Sequence, residues 1–150
     1  MSDDEFTLLH EDARIALGRK GPVVVAVLHA AIDESVFDHI DELIGDADAG
    51  GDVWLLLVRA GESPSAMSRG ARARGRAVLG AHEGRLRGVA YVNAGSGLKA
   101  KLLRGAMNAV LKAAPFDARV TTDVAAALDW LGGRGADVTG LASRIDALSR

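Results

Sequence analysis

Two continuously apolar segments constrain the fold of this chain most strongly. They are VVVAVL at residues 23–28 and VWLLLV at residues 53–58. Short apolar runs without polar alternation are typical of strands that are covered on both faces of a parallel sheet. Between them lies DESVFDHIDELIGD, residues 33–46, whose apolar residues recur at helical spacing. The order strand, helix, strand therefore predicts two parallel strands joined by a crossover helix.

The rest of the chain continues this alternation. The further predicted elements are a half-exposed strand in DARIALGRKG (12–21), a helix in GESPSAMSRGARARGRAVLG (61–80), a strand LRGVAYVN (86–93), a helix GLKAKLLRGAMNAVLKAA (97–114), a strand DARVTT (117–122) and a helix DVAAALDWLGG (123–133). The first strand turns at RKGP and should pair antiparallel at an edge. The predicted fold is an α/β domain with a mostly parallel sheet, an antiparallel N-terminal edge strand and covering helices, in the order β-β-α-β-α-β-α-β-α.

The predicted domain spans residues 1–131. Residues 132–150 then form a glycine hinge and a C-terminal amphipathic helix, which either docks on the core or offers an apolar stripe to another chain. A length of 150 residues is sufficient for one domain with a core of its own.

Residue content disfavours several kinds of chemistry. The chain has no cysteine, which excludes disulfides, thiolate zinc sites and cysteine nucleophiles. Its four histidines are scattered without metal-ligand spacing. His29 and Asp33 follow a central strand, where α/β sheets bind ligands, but no third catalytic partner accompanies them. We interpret His29 as structural and expect no enzyme activity, no metal and no cofactor.

The beginning of the chain and its apolar runs indicate a cytoplasmic protein. MSDDEF is acidic and lacks the basic-then-apolar pattern of a signal peptide. No apolar run approaches the roughly 20 residues that a membrane helix needs. We therefore expect no membrane insertion.

Charge is distributed unevenly along the chain. Residues 1–52 hold 13 acidic and 3 basic residues, whereas residues 53–112 hold 11 basic and 2 acidic ones. The two segments either form surfaces of opposite sign or neutralise each other within the fold. A basic surface would attract an acidic protein or an anionic lipid. Nucleic acid is not expected, because the net charge is −2 and aromatic residues are only 4% of the chain.

Helical periodicity assigns residues 61–80 to two faces. Ser63 is a suitable N-cap and Pro64 a suitable first helical residue. Arg69, Arg72 and Arg76 share one face, which is either simply solvated or binds a partner. The opposite, inward face consists of small and apolar residues: Ala66, Met67, Gly70, Ala71, Ala73, Ala77 and Val78.

Arg74 and two serines of the same segment raise separate questions. Arg74 projects into the apolar arc, where it reaches an edge, pairs with an acid such as Asp52, or lines a binding site. Ser63 and Ser65 either cap the helix or accept a phosphate, which Arg69 would then bind one turn later.

Gly95, Ser96 and Gly97 open the next helix in a G-x-G-x-x-A pattern. Such a turn binds a phosphate or another anion in dinucleotide-binding folds, where it follows the first strand. Here it comes late in the chain, so glycines that permit a tight turn are the better explanation and anion binding is the alternative.

The strand RGVAYVN, the long helix after it, a short strand and a closing A-x-x-W-L follow one another in this chain. The closing residues are Ala127, Trp130 and Leu131. This order resembles the STAS domain, the fold of anti-sigma-factor antagonists, and most closely the bacterial SpoIIAA-like proteins, over roughly residues 6 to 131.

The resemblance implies a regulatory domain without enzyme activity that binds a protein partner or a second copy of itself. Partner-switching relatives carry a phosphorylated Ser directly after an Asp at the start of the second helix. The matching region here, GESPSAMS, has Glu62–Ser63 and Ser65 but no Asp–Ser pair. A phosphorylation-switched antagonist with Ser63 or Ser65 as acceptor is therefore one alternative. A carrier of a small apolar or anionic ligand, such as a lipid, is the other.

Overall fold

A computed structural model describes residues 6–30, 32–46, 51–60, 67–95, 97–112 and 117–149. The described strands form a single six-stranded sheet in chain order. The elements are β1 (Phe6–Glu11), β2 (Ile15–Lys20), β3 (Val23–Leu28), α1 (Glu34–Asp46), β4 (Val53–Arg59), α2 (Arg69–Ala81), β5 (Leu86–Asn93), α3 (Leu98–Lys112), β6 (Ala118–Thr121), α4 (Val124–Gly133) and α5 (Leu141–Leu148).

Strand direction divides the sheet into two halves. β1, β2 and β3 pair antiparallel, whereas β3, β4, β5 and β6 pair parallel through the crossovers α1, α2 and α3. The tight turn between β2 and β3 places Gly21 at φ +53°, a backbone conformation that glycine adopts at no steric cost. The predicted fold class is confirmed.

One strand was not predicted. β1 lies outside β2 and takes the edge position that the sequence assigned to β2. Its sequence, FTLLHE, lacks alternation, and its pairing with β2 shifts register between Leu8 and His10. A bulged edge strand with mostly exposed side chains leaves no period of two in the sequence.

The helices cover both faces of the sheet. α1, α2 and α3 pack on one face, in a core around Val24, Leu55 and Tyr91. α4 and α5 pack on the other face, in a core around Val25, Leu56 and Ala90. β3 and β4 are buried at every residue because both of their faces are covered, which confirms the interpretation of the apolar runs.

The C-terminal segment docks on the core. Leu141 and Ile145 of α5 are 0% and 1% exposed within the second core. The Nζ of Lys20 donates to an Asp137 carboxylate oxygen at 3.1 Å and to the Thr139 carbonyl at 2.7 Å. Of the two alternatives for this helix, packing on its own domain is the one observed. Within the described residues, no helix has the length and hydropathy required to cross a membrane.

Candidate functional site

The N-terminus of α2 lies later in the chain than predicted. Ser68 is the N-cap, and its Oγ accepts the N–H of Ala71 at 3.1 Å. Met67, directly before the cap, is only 4% exposed, so a start at Arg69 anchors the helix to the core. Capping of this helix by Ser63 is therefore wrong.

The two candidate phosphorylation sites, Ser63 and Ser65, fall within residues 61–66, outside the described part of the chain. Their modification stays a prediction. The same holds for any contact between such a phosphate and Arg69.

The inward face of α2 differs from the predicted one. Ala71, Gly75, Val78 and Leu79 are buried. Ala73 and Ala77, which were expected to point inward, are exposed. Gly75 takes their place at the contact with α1, because its missing side chain lets the helix approach the ring of Phe37. Arg69 and Arg76 are exposed as predicted, and Arg72 is half-buried.

Arg74 is explained by an ion pair between helices. Its Nε donates to Asp38 of α1 at 2.6 Å, and its Nη2 lies 3.9 Å from a carboxylate oxygen of Asp41. The hydrogen bond and charge of Asp38 raise the pKa of Arg74. Asp52, the acid suggested by the sequence, instead pairs with Arg87 at 2.7 Å. Arg74 thus joins α1 to α2.

The α1–α2 contact also shows how far the acidic and basic segments of the chain neutralise each other. In the described part of the chain, acids of α1 pair with Arg74 on one flank of α2 and, through Asp41, with His82 at its end. The buried residues face the sheet, so at 100° per residue Arg69, Arg72 and Arg76 fall on the other flank, toward α3. No ion pair involves these three arginines in the ranges that the structure describes. A basic strip therefore remains beside α3.

The exposed part of α3 contributes apolar groups to the same region. Leu98 and Leu102 are 71% and 58% exposed. Leu103 and Met107 face the core, and Arg104 and Asn108 lie on the flank toward β6. Helix geometry then places Leu102 toward α2 and Leu98 on the solvent-facing side of α3, roughly opposite Met107. We call Arg69, Arg72, Arg76, Leu98 and Leu102 the α2–α3 surface.

The glycine turn before α3 is held by its own chain. The N–H of Gly95 donates to Asn93 Oδ1 at 3.0 Å, and Arg104 Nη1 donates to the Gly95 carbonyl at 2.7 Å. Gly97 has φ +95°, a conformation that favours glycine. Ser96 lies outside the described residues. These contacts support the tight-turn explanation, and anion binding at this turn stays a prediction.

Sequence reasoning missed Arg59, the last residue of β4. The residue is buried, with 7% of its surface exposed. Its Nη1 donates to the Ala30 carbonyl. Its Nη2 is buried and has no hydrogen-bond partner among the described residues. Burial lowers the pKa of Arg59, and burial likewise raises the pKa of nearby Tyr91. The only sequence signal was a charge ending an apolar run, which usually marks an exposed strand end.

Replacement of Arg59 by methionine is expected to stabilise the protein by about 1 kcal/mol, because it removes a buried, incompletely paired charge but keeps an unbranched stem. Urea unfolding of Arg59→Met measures this change. Arg59→Lys is the control and should give no gain, since it keeps the charge. Destabilisation by Arg59→Met would instead show that the charge has a partner that stabilises the fold.

Asp33, His10 and His39 make contacts within the fold. Asp33 caps α1 through the N–H of Val36 at 3.2 Å and pairs with Arg14. The rings of His10 and His39 stack with centroids 4.7 Å apart. No group of three or more His, Cys, Asp or Glu side chains placed to hold a metal occurs in the described ranges. The contacts of Asp33 give its carboxylate a structural role, and the interpretation of His29 as structural stays a prediction.

A cavity of about 420 Å³ lies where the carboxyl ends of β4 and β5 meet α4 and α5. Val58, Val92, Val124 and Ile145 are among its apolar lining residues, and Asp146 is among its polar ones. Its volume falls in the range of small-molecule sites. Binding of a small ligand, one of the sequence-based alternatives, would have a place here and stays a prediction.

Comparison with known proteins identifies the fold. No protein-family model matches the chain, and no curated protein matches it significantly. One similar solved structure is an uncharacterized protein of the DUF3478 family with a SpoIIAA-like fold, from Shewanella loihica PV-4. It is 19% identical, and the match covers 87% of this chain and 98% of that one with a TM-score of 0.55. The chain has a STAS/SpoIIAA-like fold, as the sequence resemblance implied.

Proposed function

We propose that this SpoIIAA-like domain acts by binding a protein partner through the α2–α3 surface. The observation that carries the proposal is the basic strip of α2 beside the exposed leucines of α3. Arginines at the rim of an apolar patch are a common composition of protein interfaces. The partner is an acidic protein with apolar side chains that cover Leu98 and Leu102.

The charge pattern favours an acidic partner. Asp38 and Asp41 engage Arg74 on the far flank of α2, so they leave Arg69 and Arg76 exposed. Exposed charges of one sign steer a partner of opposite sign and exclude one of like sign. The leucines supply the contact area, because desolvation of apolar side chains contributes most of the energy at an interface centre.

A second copy of the chain is the other occupant that this surface admits. Glu34, Asp38 and Glu42 of α1 are exposed on the same side of the sheet as the basic strip. Two copies related by a two-fold axis would place each acidic helix against the other's arginines. Light scattering at rising protein concentration separates this case from a different partner.

Affinity capture from the source organism tests the proposal. We expect the double variant Arg69→Glu/Arg76→Glu to capture at most about one tenth as much of the partner as the unmodified protein does. Lys112→Glu/Arg144→Glu changes the charge equally at exposed positions outside the surface and should retain the partner. The partner is then purified and its direct binding measured. Equal capture by both double variants would refute the proposal.

A further inference from the structure

The outer edge of β6 is an unpaired strand edge. β6 ends the sheet, and only β5 pairs with it among the described strands. The N–H of Val89 donates to the Asp117 carbonyl at 3.0 Å, and Val89 is the register partner of Ala118. In a parallel ladder this pattern directs the N–H groups of Arg119 and Thr121 to β5. The backbone groups of Ala118 and Val120 therefore point outward.

A groove follows this edge between α3 and α4. Its volume is about 610 Å³, and residues 119–122 form its floor. Arg104 and Asn108 of α3 and Ala126 of α4 form its walls. Its lining includes two arginines, Arg104 and Arg119, and no acidic residue. A strand edge with outward N–H and C=O groups thus lies in a basic groove.

We propose that β6 binds an extended acidic peptide segment, which adds a seventh strand to the sheet. Backbone hydrogen bonds to Ala118 and Val120 supply affinity that does not depend on sequence. Arg119 lies on the strand and Arg104 on α3, so acidic side chains of the added strand meet a cation at the floor and at one wall. The β6 edge is distinct from the α2–α3 surface.

The positive charge of Arg119 favours an acidic peptide over a second copy of the chain as the strand that binds at this edge. Pairing of two β6 strands would bring Arg119 of both copies into a ladder of only four residues. Like charges that face each other across strands destabilise the pairing. An acidic strand instead neutralises Arg104 and Arg119, which makes it the favoured occupant.

The test uses a short synthetic peptide of alternating glutamate and valine and the full chain. We expect its binding to slow amide hydrogen exchange at Ala118 and Val120, while Arg119 and Thr121, already bonded to β5, change little. A peptide with lysine in place of glutamate, and a glutamate peptide N-methylated along its bonding edge, should both fail to bind. Unchanged binding of the N-methylated peptide would overturn strand addition.

Single substitutions locate the site. Arg119→Glu is expected to weaken binding of the glutamate peptide about tenfold, because it replaces attraction by repulsion. Arg76→Glu lies on the α2–α3 surface and should leave peptide binding unchanged. Failure of the peptide to bind, or equal weakening by both variants, would refute the β6 site. Protection of Ala118 and Val120 that rises with protein concentration alone would show self-pairing and would also refute it.

Discussion

A chain that ends at Gly133 is expected to lose about 4 kcal/mol or more of its free energy of unfolding, measured by urea denaturation. The deleted residues 134–150 carry Leu141 and Ile145, which are almost fully buried against the sheet. They also carry the Arg134 carbonyl that accepts the indole N–H of Trp54 at 3.2 Å, and Asp137, the partner of buried Lys20. The truncation would expose the second core and leave the Lys20 ammonium without its two acceptors.

A point variant keeps this prediction testable if the truncated chain does not fold. Leu141→Ala should cost about 3 kcal/mol, within the range for a fully buried leucine. Ala147→Ser, at an exposed position of the same helix, should change stability by less than about 0.5 kcal/mol. Full stability of the truncated chain, or equal stability of the two point variants, would contradict the role of α5 as part of the core.

Gly75→Leu is expected to destabilise the protein by about 3 kcal/mol in urea unfolding. A Cβ atom at Gly75 would lie 2.7 Å from Phe37 Cζ, closer than carbon atoms pack. Phe37 is fully buried, so its ring cannot move aside without disturbing the contact between α1 and α2. Any side chain at residue 75 therefore pushes the two helices apart.

Gly80→Ala on the same helix is the matched control. A Cβ atom there meets nothing within 4 Å. Alanine should therefore stabilise the helix by about 0.5 kcal/mol through its higher helix propensity. A stability gain for Gly75→Leu would show that α1 and α2 do not pack as closely as described.

Local pattern was sufficient to predict most of the fold. The burial of β3 and β4 could be predicted from their own apolar residues, because a strand that is covered on both faces has no polar alternation. The caps of α1 and α4 are equally local, because Asp33 and Asp123 each accept an N–H within their own first helical turn. β1 lacked such a signal because its exposed side chains have no regular pattern.

The geometry of the candidate site depends on contacts between segments that are far apart in the sequence. Local sequence pattern does not show which of these distant residues will meet. The rotation of α2 is set by Gly75 against Phe37 and by Arg74 against Asp38, residues that lie in different helices. Once that rotation is fixed, Ala73 and Ala77 turn outward and the arginines face α3. The exposure of Leu102 is a second feature that local pattern does not show. A leucine on an amphipathic helix is assigned to the core unless the packing of that helix is known.

The most direct test of the central claim places a photo-activatable cross-linking residue at Leu102, within the α2–α3 surface, in cells of the source organism. A second chain carries it at Ala147, an exposed position of α5 on the opposite face of the sheet. We predict a specific cross-link from residue 102 to an acidic protein, lost when Arg69→Glu/Arg76→Glu is added, and no such cross-link from residue 147. The same product from both positions, or none from residue 102, would contradict the account.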